Sequence, residues 1–213
     1  MFSVIIPFRE EQSEPSRDKN IEFVEDFWKY NYDCEVILSD SDPKKPFNRS
    51  AARNSGVDKA TKDNIVLCDA DTFPDVVSIP EAFSKLEQGS SWVLPYMRYY
   101  RLSKGFSDQI VSNKINFISK PYYDIKFVKN CWAGVICLKK DMFYSIGGYN
   151  ENYLGWGFED YEFRDCLDRK FGRHVRLPYS VYHLWHEVQE GSTNDSDTFL
   201  SNKLLYEKSK VLR

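Results

Sequence analysis

Long hydrophobic runs are missing from this sequence of 213 residues. No apolar stretch approaches the ~20 residues that a membrane-spanning helix requires. No hydrophobic leader preceded by Lys or Arg opens the chain either, so a secretory signal is not indicated. Together these absences predict a cytoplasmic protein.

Cysteine pairs with the spacing of metal or redox sites are also missing. The chain has five cysteines, an odd number, and no Cys-x-x-Cys pair. Most of them lie in apolar runs, so we interpret them as reduced core residues rather than as disulfides or zinc ligands. These residues are Cys34, Cys68, Cys131, Cys137 and Cys166.

An excess of positive charge is a third absence. The formal net charge is -3 and the pI is about 5.7, which excludes a protein that holds nucleic acid by overall charge alone, although a local basic patch is compatible with it. Aromatic residues are frequent at 16%; Tyr and Trp stack well on sugars, but most of them in any protein are core residues. No repeat, low-complexity segment or clear linker divides the chain, which predicts a single domain.

Two carboxylates follow the most apolar run of the first half. In residues 64–74 the run from Ile65 to Cys68 breaks into Asp69 and Asp71, and Pro74 prevents the strand from continuing. In open α/β sheets, ligands bind beyond the carboxyl ends of the strands, where hard oxygen donors can hold a divalent cation and, through it, a diphosphate. The alternative is an Asp-rich turn that satisfies its own backbone.

The first forty residues have the pattern of a nucleotide-binding βαβ unit. Residues 2–9 predict a strand, residues 20–30 an amphipathic helix, and residues 34–39 a second strand that ends at Asp40 and Asp42. A carboxylate at that position can accept hydrogen bonds from a ribose or a base. Alternatively, both acids cap a turn before Pro43.

Two arginines precede the acidic motif on a predicted helix that ends near Ala60. Arg49 and Arg53 are four residues apart and therefore share one helical face, from which both could contact an anion. Such pairs are usually solvated, but this helix leads directly into the strand that carries Asp69 and Asp71, which brings a diphosphate within reach.

The middle of the chain gives weaker signals. Residues 97–104 interleave aromatic residues and cations, which favours an amphipathic strand over a phosphate- or sugar-binding segment. Residues 105–130 are polar and irregular, as in a mobile lid or a plain connection. Residues 131–138 predict a strand that contains Gly134, and glycine inside a strand permits close approach of a ligand or of another backbone.

The second half carries a glycine-flanked tryptophan followed by acids. Trp156 lies between two glycines, and Glu159, Asp160 and Glu162 occupy the first turns of the next predicted helix. The helix dipole stabilises acids at this position, so structure alone accounts for one or two of them. It does not explain a large indole in the adjoining turn.

Two of the three histidines end the next predicted strand, residues 174–187. A lone histidine is more often a satisfied polar residue than a ligand, but His183 and His186 are three apart and could complete a metal site begun by Asp69 and Asp71. Residues 197–212 predict an amphipathic helix that packs across the domain. Its inward residues are expected to be Phe199, Leu200, Leu204 and Leu205.

Taken together, these motifs resemble the glycosyltransferases of the GT-A fold. The galactosyltransferase and N-acetylgalactosaminyltransferase group is most similar, with its Asp-x-Asp motif and its Gly-Trp-Gly-Gly-Glu-Asp signature. Here the signature is Gly-Gly-Tyr at residues 147–149 and Gly-Trp-Gly-Phe-Glu-Asp at residues 155–160, with Phe158 replacing the fourth glycine. The resemblance covers about residues 2–187. The sequence shows no counterpart of the membrane anchor and stem of that group, which suits a bacterial or phage enzyme.

The resemblance implies a Rossmann-like single domain, with a mixed, mostly parallel sheet flanked by helices. The implied parts are a nucleotide-sugar-binding half at about residues 1–95, an acceptor and catalytic half at about 96–190, and a C-terminal helix at 191–213. Implied metal ligands for Mn²⁺ or Mg²⁺ are Asp71, Asp69, His186 and His183. Asp160 is implied as general base and Glu159 as the residue that orients hydroxyls. Implied donor-site residues are Pro7, Phe8, Arg9, Asp40, Arg49, Arg53, Asp69, Ala70, Asp71, Gly134 and Trp156, and of these Arg49 and Arg53 support either the nucleotide or the acidic loop.

The resulting expectation is a metal-dependent, inverting, hexosyltransferase-like enzyme that uses a nucleotide sugar, with uridine diphosphate as the favoured nucleotide. The acceptor is expected to be a glycan; a hydroxylated base in phage DNA is the alternative, which Arg98, Arg101 and Lys104 favour slightly and the net acidity disfavours. A nucleotidyltransferase would normally have a glycine-rich loop after the first strand, and residues 7–13 contain no glycine. A non-catalytic sugar- or nucleotide-binding module is the last alternative, and the retained acids disfavour it. The sequence does not identify the donor sugar, the acceptor linkage or the oligomeric state.

Overall fold

A computed structural model of the chain describes residues 1–10, 15–112, 125–128, 131–187 and 196–211. Strands and helices alternate through most of this length. The strands are β1 (Ser3–Pro7), β2 (Glu35–Ser39), β3 (Asn64–Cys68), β4 (Thr72–Pro74), β5 (Val93–Leu94), β6 (Arg98–Leu102), β7 (Ile125–Val128), β8 (Val135–Lys139), β9 (Val175–Arg176) and β10 (Ser180–His183). The helices are α1 (Pro15–Asn31), α2 (Arg49–Lys59), α3 (Ser78–Glu87), α4 (Lys104–Val111), α5 (Lys140–Ser145), α6 (Glu159–Phe171) and α7 (Asp197–Val211).

The larger sheet has six strands in the order β2-β1-β3-β8-β5-β9. Strand β1 pairs in parallel with β2 and β3, and β5 pairs in parallel with β9, whereas β8 is antiparallel to its two neighbours. The predicted mixed, mostly parallel α/β architecture is therefore confirmed. Because β1, β2 and β3 run in the same direction, their carboxyl ends at Pro7, Ser39 and Cys68 meet at one edge of the sheet.

A second sheet of four strands, in the order β4-β10-β6-β7, was not predicted. The amphipathic strand expected at residues 97–104 is confirmed as β6. The prediction that residues 105–130 form an irregular connection is wrong in two places. This segment contains most of the helix α4 and the strand β7, which pairs with β6. Residues 113–124 and 129–130 of that segment lie outside the described residues. Cross-strand pairing, which a local pattern does not reveal, gives β7 its conformation.

The single strand expected at residues 174–187 is also wrong. It divides into β9, which joins the large sheet, and β10, which joins the small one. Pro178 lies between the two strands, where it cannot donate a ladder hydrogen bond. His183 is the last residue of β10, and His186 lies beyond it.

The core combines buried aromatic side chains with the apolar residues of β1, β3 and β8. Trp28, Trp92, Tyr96 and Phe143 are among its fully buried side chains. Cys34, Cys68, Cys131 and Cys137 form no disulfide, and Cys68 and Cys137 are buried. Among the described residues, none of the helices combines the length and the apolar character that a membrane span needs.

Helix α7 turns a different face inward from the one expected. Leu200 and Leu204 are 47% and 58% exposed, whereas Asn202 and Tyr206 are buried. The surface beneath α7 presents the carbonyl groups of Leu154 and Trp156 and a carboxylate, so polar side chains face it. The apolar spacing predicted the helix correctly and its orientation incorrectly.

Candidate active site

The two acids of the Asp-x-Asp motif point to different partners. The Asp69 N–H donates to the Gly134 carbonyl at 2.8 Å, and one carboxylate oxygen of Asp69 accepts from the Gly134 N–H at 3.2 Å. Its other oxygen lies 2.6 Å from the Arg53 guanidinium. Gly134 has φ +90°, and a Cβ there would lie 2.9 Å from the Tyr99 ring, so this close pairing requires glycine.

Asp71 instead faces His183 and His186. Strand β10 pairs with β4 so that His183 lies opposite Thr72, and the Leu184 N–H donates to the Asp71 carbonyl at 2.8 Å. The Nε2 atoms of His183 and His186 lie 3.6 and 3.2 Å from the Asp71 carboxylate. The three residues offer ligand atoms within 4.8 Å of one another. The structure thus brings together three of the four residues expected at the metal, with Asp69 turned towards Arg53.

The protonation states of this cluster fit a divalent cation. Burial opposes ionisation of Asp71, but His183 and His186 outweigh it and hold the pKa of Asp71 below its usual range. Burial lowers the pKa of His183, which favours the neutral, metal-binding imidazole. The Nδ1 atom of His186 lies 2.8 Å from the Glu187 carbonyl oxygen, and an Nδ1–H that donates to this carbonyl leaves the Nε2 lone pair facing Asp71. Burial would lower the pKa of His186, but the Asp71 carboxylate and the Glu187 carbonyl raise it, so a bound cation would displace a proton from this ring. One carboxylate with two imidazoles suits a transition ion better than Mg²⁺, which prefers oxygen ligands.

Arg53 joins the two halves of the site. Its side chain is only 3% exposed, and its guanidinium contacts Asp69 at 2.6 Å and Asp160 at 3.0 Å. It also lies over the Tyr149 ring, 4.7 Å from the centroid. Burial alone would lower the pKa of Arg53, but Tyr149, Asp160 and Asp69 hold it above its ordinary value. The guanidinium is therefore a fixed positive charge between β3 and α6.

Asp160 is the acid with the most altered protonation. Burial, with the neighbouring charges of Glu159 and Asp69, raises its pKa to about 7, although Arg53 and Arg49 oppose this shift. One of its oxygens accepts hydrogen bonds from Arg53 and from the Tyr149 hydroxyl at 3.1 Å. Such a carboxylate can accept a proton near neutral pH.

Glu159 and Arg49 form a second pair in the same turn. Glu159 is buried, and its carboxylate lies 2.7 Å from the Arg49 guanidinium. Arg49 also donates to the Gly155 carbonyl at 3.2 Å. Helix α2 begins at Arg49 because the Asn48 side chain caps the Ala51 N–H. Both arginines of this helix thus contact the acidic turn.

The tryptophan turn, residues 155–158, is packed against α7. Trp156 stacks on Phe199 with ring centroids 5.3 Å apart. Phe158 has φ +74°, a conformation rare for residues with a side chain, and its ring contacts Phe199 and Tyr206. A Cβ on Gly157 would lie 2.9 Å from the Phe199 ring. One face of Trp156 is therefore covered by protein.

We expect Asn202→Ala to loosen this turn. The buried Asn202 amide donates to the Leu154 and Trp156 carbonyls at 2.8 and 3.3 Å and accepts from the Leu154 N–H at 3.3 Å. Losing these bonds leaves backbone groups unsatisfied, so the free energy of unfolding should fall by about 1–3 kcal/mol in urea titrations. The exposed Ser201→Ala on the same helix is the matched control. Equal stability of the two variants would contradict the role of Asn202.

The nucleotide-binding residues expected at the ends of β1 and β2 lie side by side. The Phe8 N–H donates to the Ser39 carbonyl at 2.9 Å, immediately after Pro7. The Arg9 Nε lies 2.9 and 3.0 Å from the two oxygens of the Asp40 carboxylate. Arg9 also donates to the carbonyls of Ser41, Asp42 and Lys45. Arg9 thus fixes the loop that follows β2. Ala70 lies between Asp69 and Asp71, directly after β3.

Two residues of this site were not singled out from the sequence. The Gly-Gly-Tyr motif contains Tyr149 but does not indicate its role, which is to contact Asp160 through its hydroxyl and Arg53 through its ring. Asn202 has no sequence signal, because an asparagine in the middle of a helix usually faces solvent. Tyr149 could have been identified from the Gly-Gly-Tyr pattern.

Comparisons with known proteins identify the family and the fold of the chain. The family model described as Glycosyltransferase like family 2 matches residues 12–184. No curated protein sequence matches the chain. The catalytic domain of Drosophila β1,4-galactosyltransferase 7 in complex with xylobiose is 17% identical, with a TM-score of 0.54 over 92% of this chain and 78% of that one.

Two further solved structures share the fold. GalNAc-T7 with UDP, GalNAc and Mn²⁺ is 14% identical, with a TM-score of 0.59 over 97% of this chain and 48% of that one. Glucosyl-3-phosphoglycerate synthase from Mycobacterium tuberculosis, in complex with Mn²⁺, UDP and phosphoglyceric acid, is 14% identical, with a TM-score of 0.54 over 96% and 78%. The expected similarity to GT-A galactosyltransferases and N-acetylgalactosaminyltransferases is confirmed. The chain belongs to the glycosyltransferase-like family 2 and is a glycosyltransferase of the GT-A type.

Proposed function

We propose that this enzyme transfers a sugar from a uridine diphosphate sugar to an acceptor hydroxyl, with a divalent metal and with inversion at the anomeric carbon. One observation carries the proposal. Arg53 contacts both Asp160 and Asp69, and Asp69 is two residues before Asp71, which forms a cluster with His183 and His186. The solved relatives with Mn²⁺ and UDP support the choice of metal and nucleotide. We propose that the whole chain acts as one domain, with a donor half at about residues 1–95, an acceptor half at about 96–190 and the helix region 191–213.

Asp71, His183 and His186 would hold Mn²⁺, since they combine an ionised carboxylate with two imidazoles. Asp69 would hold Arg53 in place rather than serve as a primary metal ligand, because its carboxylate already contacts Arg53 and the Gly134 N–H. When bound, the cation neutralises the charge of the departing diphosphate.

Asp160 would accept the proton of the acceptor hydroxyl. The hydroxyl oxygen forms the new bond to the anomeric carbon while the bond from that carbon to the diphosphate oxygen breaks, and the proton moves to the Asp160 carboxylate. Its raised pKa of about 7 favours proton transfer at neutral pH. A single displacement of this kind inverts the anomeric configuration. Glu159, held by Arg49, would orient sugar hydroxyls.

The donor would lie along the strand ends between the first loop and Gly134. Residues at these ends fit the nucleotide, since Arg9 and Asp40 hold the loop that would contact it. Gly134 would allow the sugar close to the strand, and the face of Trp156 away from Phe199 would contact it. The proposed donor-site residues are Pro7, Phe8, Arg9, Asp40, Arg49, Arg53, Ala70, Gly134 and Trp156.

A glycan is the acceptor class that we favour. Membership of a glycosyltransferase family argues against the nucleotidyltransferase and the non-catalytic module. Of the three cations that favoured a DNA acceptor, Arg98 is turned to the Ser180 hydroxyl and the Pro178 carbonyl, and Lys104 lies over the Trp185 ring. Neither contact marks a phosphate-binding surface.

Thermal unfolding with UDP in the presence and absence of Mn²⁺ tests the proposal. Wild type should be stabilised only when both are present, by about 3 kcal/mol at a hundredfold excess over Kd. Asp71→Ala should lose this stabilisation, and Asp63→Ala, which removes an exposed aspartate before β3, should keep it. Stabilisation by UDP that ignores both the metal and Asp71 would overturn the proposed site.

A further inference from the structure

A cluster of rings and cations lies next to Asp160 and has no part in the proposed chemistry. We call it the Trp132 cluster, and it consists of Trp132, Tyr161, Arg164 and Arg176. The Arg164 guanidinium lies 4.3 Å from the Trp132 ring centroid and 5.2 Å from that of Tyr161. The Arg176 guanidinium lies 5.7 Å from the Trp132 centroid. The Trp132 and Tyr161 rings are 5.3 Å apart.

The position of the cluster is set by its chain neighbours. Tyr161 follows Asp160 directly, and Arg164 is one helical turn further along the same face of α6. On the other side, Trp132 follows Cys131. Trp132 also lies two residues before Gly134, whose N–H and carbonyl form hydrogen bonds with Asp69. The Trp132 cluster therefore joins the segment that carries Asp160 to the segment that contacts Asp69.

The two arginines differ in how their charge is neutralised. Arg164 lies 2.5 Å from the Asp165 carboxylate, so its charge has a partner. Arg176 donates to the Cys131 carbonyl at 2.7 Å, and among the described residues no carboxylate forms an ion pair with it. Burial lowers the pKa of Arg176, Tyr96 and Cys131 oppose this shift, and the charges of Arg164 and Arg173 add to it. A partly buried cation with other cations beside it favours a bound anion.

The remaining surface of the cluster suits a sugar. Tyr161 is 40% exposed, so the part of its ring that Trp132, Phe158 and Tyr206 leave open offers apolar area. Arginine binds carboxylates and phosphates through paired N–H groups, and Arg176 uses one nitrogen for the Cys131 carbonyl and has two others. Rings for a sugar face and a cation without an acidic partner thus lie together next to the proposed base.

We propose that the acceptor is an anionic sugar whose carboxylate or phosphate binds Arg176 beside Trp132 while one of its hydroxyls reaches Asp160; this rests on the proposed function. Arg176 selects the acceptor by its charge and takes no part in proton transfer. A neutral glycan would leave the cation without a counter-charge, and it would bind through the rings alone.

The test compares three sugars on protein loaded with UDP and Mn²⁺. Glucose, glucuronic acid and glucose 6-phosphate share a ring and differ in charge, and saturation-transfer NMR titrations give the affinity of each. Wild type should bind at least one charged sugar about tenfold or more tightly than glucose. The two charged sugars distinguish a carboxylate from a phosphate.

Three variants separate charge selection from a structural role. Arg176→Gln should lose the preference for the charged sugar, and Arg176→Lys should keep part of it, since the charge remains but the paired geometry does not. The exposed Arg169→Gln is the matched control and should keep the full preference. All variants are checked for loading by the UDP and Mn²⁺ thermal shift.

Two outcomes overturn the inference alone. One is a loaded wild-type protein that binds neither charged sugar more tightly than glucose. The other is an equal loss of preference in Arg176→Gln and Arg169→Gln. A wild-type protein that does not load UDP with Mn²⁺ instead overturns the proposed function, so the two failures are distinguishable.

Discussion

Asp160→Asn is expected to lower kcat for sugar transfer by about 10²–10⁴-fold, the usual contribution of a general base. The amide keeps the shape of the side chain and its contact with the Tyr149 hydroxyl but cannot accept the acceptor proton. UDP binding in the presence of Mn²⁺ should be unchanged, because the metal cluster is built from other residues. The measurement is kcat by UDP release, with UDP affinity measured in parallel.

The matched control is Asp26→Asn, which removes an exposed carboxylate on α1. It should keep wild-type turnover. Full turnover in Asp160→Asn would exclude Asp160 as the base.

The pH dependence of the reaction should follow the same carboxylate. Burial raises the pKa of Asp160 from 3.8 to about 7, so its basic form increases as the pH rises through 7 and kcat/KM should rise with it. Between these two values the folded protein binds a proton that the unfolded chain has lost, so this group makes stability fall as the pH rises from about 4 to 7. Asp160→Asn should lack both effects, which rate profiles and urea titrations at several pH values can detect. A wild-type profile that is flat from pH 6 to 8 would contradict the assignment.

Arg53→Gln is expected to cause the largest loss of stability. The guanidinium is 3% exposed and pairs with Asp69 and Asp160, so its removal leaves two carboxylates without their partner. Breaking a buried ion pair from one side typically lowers the free energy of unfolding by about 3–5 kcal/mol. Urea unfolding measures the change, and the exposed Arg169→Gln on α6 is the control.

A double variant makes this prediction specific. Arg53→Gln combined with Asp160→Asn removes the cation and one of the two anions, so it should be less destabilised than the sum of the single variants. Additive losses would show that Arg53 and Asp160 do not interact in the folded protein.

The sequence predicts those site residues that belong to short local motifs. Strand β3 was evident from an apolar run that ends in two acids, and parallel strands bring their carboxyl ends to one edge. The spacing of Arg49 and Arg53 predicted a shared helical face. It did not predict which acids they contact, because the partners lie 16 and 107 residues from Arg53 in the chain.

The rest of the fold depends on pairing between distant segments. The small sheet joins β4, β10, β6 and β7, and no local pattern indicates that Thr72 lies opposite His183. The inward face of α7 was mispredicted for a related reason, since apolar spacing was read as the buried face while the surface beneath is polar. Leu200 and Leu204 are exposed because Asn202 and Tyr206 satisfy that surface. Hydrophobic periodicity identifies a helix, but the partner surface determines its orientation.

Because α7 packs on the tryptophan turn, the parts of the site should fold in a defined order during synthesis. Asn202 and the Trp156 carbonyl that it contacts are 46 residues apart, and segments synthesised first generally fold first. A nascent chain that has emerged as far as His186 contains Asp71, His183 and Asp160 but lacks the helix that holds the turn. We therefore expect such a ribosome-bound chain to bind metal before it can transfer sugar, with activity appearing only after Asn202 and Tyr206 have emerged.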